Sequence, residues 1–98
     1  MLPDYANAID LKNIVKSESD KYIAPSNGFV HLHTSCNNQN GGAIRLIINS
    51  NSDLVAHGYT AINEEKTTII PMSKGDCIQP IGFTGTYSIF SFYFIPCK

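Results

Sequence analysis

From Lys21 onward, apolar positions recur in short period-two runs broken by polar, Gly- and Pro-containing stretches. That is the pattern of antiparallel strands in a sandwich or barrel. "KYIA" runs into "PSNG", a turn carrying a proline and an Asn-Gly pair, ahead of "FVHLHTSC". The polar loop "NNQNGG" leads to "AIRLIINS", where Ile44, Leu46 and Ile48 share one face and Ala43, Arg45, Ile47 and Asn49 the other. "NSD" closes that run. "LVAHGYTAI", "KTTIIPM", "DCIQPIGF" and "YSIFSFYFI" follow, separated by "NEE", "SKG" and "TGT". The spacing predicts seven or eight strands in a compact, all-β antiparallel sandwich. In "YANAIDLKNIV", Ile9 and Leu11 fit a strand while Ala8, Leu11 and Val15 fit a helical turn, and we expect a strand at its end. The 98 residues make one domain, 1–98, with 1–20 as a lead-in segment.

Two of these runs raise a question about what covers them. In "YSIFSFYFIP" strict alternation puts Tyr87, Ile89, Tyr93 and Ile95 on one face and Phe90, Phe92 and Phe94 on the other, so both sides of this strand are apolar. A two-layer domain covers one side. The other either lies under the N-terminal segment or is a patch that meets a partner, and a second copy of the same chain is the simplest partner. In "GFVHLHTS" alternation sends Val30, Leu32 and Thr34 to the core and Phe29, His31, His33 and Ser35 to the opposite side. The two histidines then share a face.

Composition narrows the function. Hydrophobic residues are 43% of the chain and charged residues 15%, so it should fold. The net charge is -1 and the Lys and Arg residues are scattered, which leaves no basic stripe for nucleic acid. Cys36, Cys77 and Cys97 are odd in number and widely spaced, as expected of free thiols made in a reducing cytoplasm, with Cys36 and Cys77 buried and Cys97 accessible. "MLPDYANAID" lacks the pattern of a signal peptide, and "IFSFYFIP" is too short to span a bilayer as a helix. No GxSxG occurs, His33 and Cys36 differ by an odd number of positions, and the carboxylates of "NEEK" face opposite ways in a strand. We expect no catalytic residues. "KGD" reads as a tight turn.

The order "LPDY", "YIAPSNGFVHLH", "GGAIRLIIN", "TIIPMSKGDCI" and "FYFIPCK" resembles the C-terminal domains of tailed-bacteriophage tail-fibre and receptor-binding proteins. Those are jelly-roll heads similar in shape to C1q and tumour-necrosis-factor heads. The resemblance runs from Leu2 to Lys98, with Ala24 to Gly28 as the turn before the first core strand and Lys74 to Asp76 as the turn before a late one. It implies a homotrimer packed through aromatic inner sheets, in a virion tail or encoded by a prophage, that attaches to a bacterial surface glycan or protein.

Within that reading the receptor-contact candidates are Asn37, Asn38, Gln39, Asn40 and Asn51, whose amides offer donors and acceptors to sugar hydroxyls. The trimer-interface candidates are Tyr87, Ile89, Phe90, Phe92, Tyr93 and Phe94. No cofactor, nucleic acid or membrane insertion is expected. His31 and His33 are ordinary strand residues unless a threefold axis gathers six imidazoles around an octahedral metal, a His-x-His device similar to that of some phage fibre and spike tips. Two other functions remain: a structural cap that trimerises a fibre without its own receptor site, and an enzyme acting on polysaccharide, which requires carboxylates converging across a cleft.

Overall fold

The computed structural model describes residues 2–39, 42–81 and 87–98, with the side chains of 42, 51–56 and 87 left aside. Eight strands form: β1 (Ile9–Asp10), β2 (Tyr22–Ile23), β3 (Gly28–Cys36), β4 (Gly42–Ile48), β5 (Asn51–Tyr59), β6 (Glu65–Met72), β7 (Cys77–Ile81) and β8 (Tyr87–Pro96). They make two four-stranded antiparallel sheets, in the orders β1-β8-β3-β6 and β2-β7-β4-β5. The pairs 1–8, 2–7, 3–6 and 4–5 are nested, so the chain is one long hairpin rolled over itself. This is a jelly roll. Among the described residues the helices are three-residue 3-10 turns, Tyr5–Asn7 and Leu11–Asn13, and none is long and apolar enough to cross a membrane. Strand Ile9–Asp10 sits between these turns, in the middle of the segment, whereas its end, where a strand is expected, is the 3-10 turn Leu11–Asn13.

The tip of the hairpin is tighter than the pattern predicts. Expected as the loop "NSD", it is the two residues Asn49 and Ser50, both with positive φ (53° and 66°), while Ile48 already pairs with Asn51. Positive φ at both central positions is the turn whose twist matches that of the flanking strands, and Asn tolerates it. The Asn49 side chain then locks the tip to the start of β7: its amide donates to Asp76 Oδ1 at 2.9 Å and its oxygen accepts from the Cys77 N–H at 2.8 Å. The Lys74 to Asp76 turn forms as expected, with Gly75 at φ +91°.

Cross-strand register decides which side chains face inward. Val30, Ile70 and Phe94 share one inner row, and Leu32, Thr68 and Phe92 the next. From the other sheet Leu46, Ile48 and Ile78 meet them, and Tyr22 stacks at a tilt on Phe94 with ring centroids 5.9 Å apart. Leu11 and Val15, on the segment crossing from β1 to β2, are fully buried and close that side of the sandwich. Burial of each large apolar side chain stabilises by about 1.5–3 kcal/mol.

A bulge in β8 corrects the alternation read from sequence. His33 pairs with Ser91 but Thr34 pairs with Ile89, so Phe90 is the extra residue. Beyond it the parity reverses. Phe92 and Phe94 are wholly buried, Phe90 is 52% exposed, and Ile89 turns inward against the core. Phe92, Phe94 and Ile89, expected among the interface residues, are therefore core. Ser35 keeps its outward place in the register but is buried there, and Cys77 and Cys97 are both half-buried while Cys36 is buried as expected.

Gly28 begins β3, where it pairs with Pro96 of β8 in the same sheet. An ideal Cβ there falls inside contact distance of the Ile95 carbonyl oxygen and 2.7 Å from the Phe94 ring. Gly28→Ala should therefore cost about 1–3 kcal/mol through overpacking, read in urea as a lower midpoint with an unchanged slope.

Candidate functional site

The outer face of the β1-β8-β3-β6 sheet carries the side chains that the core does not use. Antiparallel partners share a face, so the register gives the outer rows directly: Ile95, Phe29 and Pro71; then Asp10, Tyr93, His31 and Ile69; then Ser91, His33 and Thr67; then Ser88, Ser35 and Glu65. The face is apolar towards the chain termini and polar towards the opposite end. Its apolar part holds a groove of ≈ 350 Å³ lined by Pro3, Tyr5, Phe29, His31, Ile69 and Ile95. A more open groove of ≈ 470 Å³ continues it along Tyr5, Ala8, His31, Ser91, Tyr93 and Ile95. Beside the N-terminal segment the face is partly covered, with Ile95 8% exposed and Phe29, His31 and Tyr93 half-buried, while Tyr5 is 71% exposed and Ile69 62%.

The two histidines are on this face, as alternation predicts, but they lean apart. His31 Nε2 shares a hydrogen bond with Ser91 Oγ on β8 at 3.1 Å. His33 Nε2 turns to Glu65 Oε1 on β6 at 2.8 Å, and its ring meets Phe90 edge-on with centroids 5.1 Å apart. Each Nε2 is engaged in a different direction, which does not suit a chelating pair. Among the described residues no three His, Cys, Asp or Glu side chains come together as a metal site.

His57 is a third case. It projects from β5 between the sheets, 2% exposed, with Nδ1 hydrogen-bonded to Thr34 Oγ1 at 2.8 Å and Nε2 to Thr68 Oγ1 at 2.6 Å. It ties the second sheet to two strands of the first. Burial, then the charges of Lys66 and His33, hold its pKa below the ordinary value. Beside it Tyr59 makes an edge contact at 6.5 Å, and burial, with Cys36 and Glu64 adding, pushes its phenol up to about 12. The Tyr59 hydroxyl is buried without a hydrogen-bond partner among the described residues.

The loop candidates separate. Asn37, Asn38 and Gln39 follow β3 at the end of the sandwich away from the termini. There Asn37 Oδ1 accepts from Ser88 Oγ at 2.9 Å, the Asn38 carbonyl accepts from Cys36 Sγ at 3.1 Å, and Gln39 is exposed. The turn 60–64 shares that end, joined to β3 by the Asn63 N–H donating to the Cys36 carbonyl. Thr60 gives its N–H and hydroxyl to Glu64, which lowers the Glu64 pKa. Asn51 begins β5 at the opposite end, beside the termini, so it does not join a site with Asn37. Asn40 and the side chain of Tyr87 lie outside the described residues. Of the interface candidates, Tyr93 and Phe90 are on the outer face. Sequence reading did not place Tyr5, Phe29 and Ile69 in a site with Tyr93. The signal available was the alternation in "TTIIP", which puts Ile69 and Pro71 on one side.

No family model matches this chain, and no curated protein does. Among solved structures it is similar to part of a β-glucosidase from Paenibacillus barengoltzii, at 15% identity and a TM-score of 0.61, over 94% of this chain and 10% of that one. The chain therefore spans about a tenth of that enzyme's length. It also matches the CBM36-1 domain of a multidomain xylanase from the hindgut metagenome of Trinervitermes trinervoides, at 16% identity and a TM-score of 0.47, over 100% of this chain and 91% of that one. Likeness at such identity concerns the fold alone.

His57 gives this region a pH dependence. Its folded-state pKa lies below the unfolded value near 6.5, so the unfolded chain binds the proton more readily. The stability it confers is intact above about pH 6.5 and is lost as pH falls through the folded pKa. Denaturation midpoints measured from pH 8 to pH 5 should fall below about pH 6.5, and His57→Gln should flatten that fall.

Proposed function

We propose that this chain is a non-enzymatic attachment head of a tailed-phage fibre, a trimer whose copies meet through the outer face of the β1-β8-β3-β6 sheet. The observation that carries the reading is the open apolar groove around Phe29, His31, Ile69, Tyr93 and Ile95. Three strands of eight to ten residues, β3, β6 and β8, with the two-residue β1 beside them, at ~4.8 Å spacing and ~3.3 Å rise make a face of roughly 450 Å² in projection. That is a little over half of the ~800 Å² each partner contributes to a standard interface. The described outward positions carry two carboxylates, Asp10 and Glu65, near the margins, so copies of the face would meet without a concentration of like charge.

The ends of the chain support the second half of the proposal. Leu2 and Lys98 lie together, the Lys98 N–H donating to the Leu2 carbonyl at 2.9 Å, and the turns 24–27, 49–50 and 73–76 share their end of the sandwich. A head joined to a shaft there presents 37–39 and 60–64 outward, where Asn37, Asn38, Gln39 and Thr60 offer amides and a hydroxyl to a glycan. The observed carboxylates do not favour polysaccharide cleavage: Glu64 is held by its own loop and Glu65 by His33. A purely structural cap needs the same interface and no binding at the tip.

Light scattering should give about three chain masses, and Tyr93→Asp or Ile69→Asp, which place a charge in the packed face, should give folded monomers. A wild-type monomer at high concentration overturns the trimer. The trimer should also be retained by intact host bacteria, and retention should fall in a Gln39→Ala variant. An intact trimer that no bacterium or glycan array retains points to the structural cap.

A further inference from the structure

We propose that assembly through this face is released by acid, with His31 as the residue that titrates and His33 as a bystander; the inference rests on the self-association reading above. The two imidazoles share a strand and a face but differ in surroundings. His31 belongs to both grooves, in the apolar half of the sheet, between Tyr93 on β8 and Ile69 on β6. Its hydrogen-bond partner is the neutral Ser91 hydroxyl.

Among the described residues no carboxylate bonds the His31 ring. The phenols of Tyr5 and Tyr93 are neutral in the range where histidine titrates. Asp10, the next member of its row beyond Tyr93, keeps its negative charge but stands two strands away, about 9.6 Å across the sheet, with its carboxylate accepting from the Lys12 N–H at 3.0 Å. Glu65 is taken by His33, Lys66 pairs with Glu64 at 3.7 Å, and His57 is sealed behind the sheet between two threonines. A second copy lying on the groove removes His31 from water, and an imidazolium there would be buried without a counter-charge.

His33 behaves in the opposite way. It stands outside both grooves, on the polar half of the face, and Glu65 Oε1 at 2.8 Å receives its proton's charge. Protonation strengthens that pair. Histidine is the side chain whose charge changes between pH 5 and 8, so among the described residues of the face the change in that range falls on His31 and His33, and only at His33 does a carboxylate, Glu65, meet it. If each of three His31 rings must shed a proton to pack, the association constant falls by up to about a thousandfold per pH unit on the acid side.

The test is light scattering of the untagged chain from pH 8 to pH 5 across a tenfold range of concentration, with circular dichroism on the same samples. The wild type and His33→Gln should go from about three chain masses to one while remaining folded. His31→Gln, and His31→Phe as a second variant of similar shape, should hold the trimer at pH 5. A wild-type trimer that persists at pH 5, or His31 variants that dissociate like the wild type, overturns the proposal. So does a mass change that coincides with loss of the folded dichroism signal, which assigns the transition to unfolding. A folded monomer already at pH 8 instead removes the self-association reading itself.

Discussion

The two-residue turn at Asn49 and Ser50 is the constraint on which the remainder of this domain depends. It pairs β4 with β5, and every other nested pair, β3 with β6, β2 with β7 and β1 with β8, lies further out along the same hairpin. Rolling that hairpin brings β8 beside β3 and β7 beside β4, which completes both sheets. The Asn49 amide bonding both Asp76 and Cys77 fastens the tip to the β6–β7 turn. Because most contacts join residues far apart in the chain, the loop-closure entropy is large and folding should be slow relative to helical domains of this size.

Rolling also decides how a small core is shared. β8 lies between β1 and β3, and its bulge at Phe90 lets one aromatic strand serve both faces. On one side of the bulge Phe92 and Phe94 fill the interior; at the bulge Phe90 is pushed out against His33. The polar clamp of His57 with Thr34 and Thr68 sits on the opposite flank from Leu11 and Val15. One side of the sandwich is closed by apolar packing and the other by hydrogen bonds. Buried hydrogen bonds are directional, so the clamp sets how the sheets align, whereas apolar packing tolerates more adjustment.

The proposed function follows from the division between the faces and ends of this roll. Side chains with no place in the core collect on the outer face of the β1-β8-β3-β6 sheet, apolar near the termini and polar further away. The connecting loops fall at two ends, and the termini occupy one of them. An attachment head needs a surface for holding copies together and a separate surface for meeting a receptor, and the proposal assigns these to a face and a tip of the same sandwich. In that proposal assembly would use apolar area, while recognition at the tip would use amides and hydroxyls.

Much of this was legible in the sequence, because period-two alternation reports local geometry. The all-β class, nearly all the strands, the inward set Val30, Leu32 and Thr34, the outward pair His31 and His33 and the Gly75 turn all depend on neighbours within a few residues. Alternation fails where a strand answers to its partner. Nothing in "YSIFSFYFIP" marks Phe90 as the bulged residue, since the bulge exists only in the register between β3 and β8. The same applies to Asn51, grouped by its polarity with Asn37 but carried by β5 to the opposite end of the sandwich. His57, an unremarkable residue in "VAHGY", becomes an inter-sheet clamp because Thr34 and Thr68 are delivered to it by two strands of the other sheet. Which side chains alternate was settled by the chain alone; which of them meet was settled by pairings between distant residues, and those are set by the rolled topology rather than by any local preference.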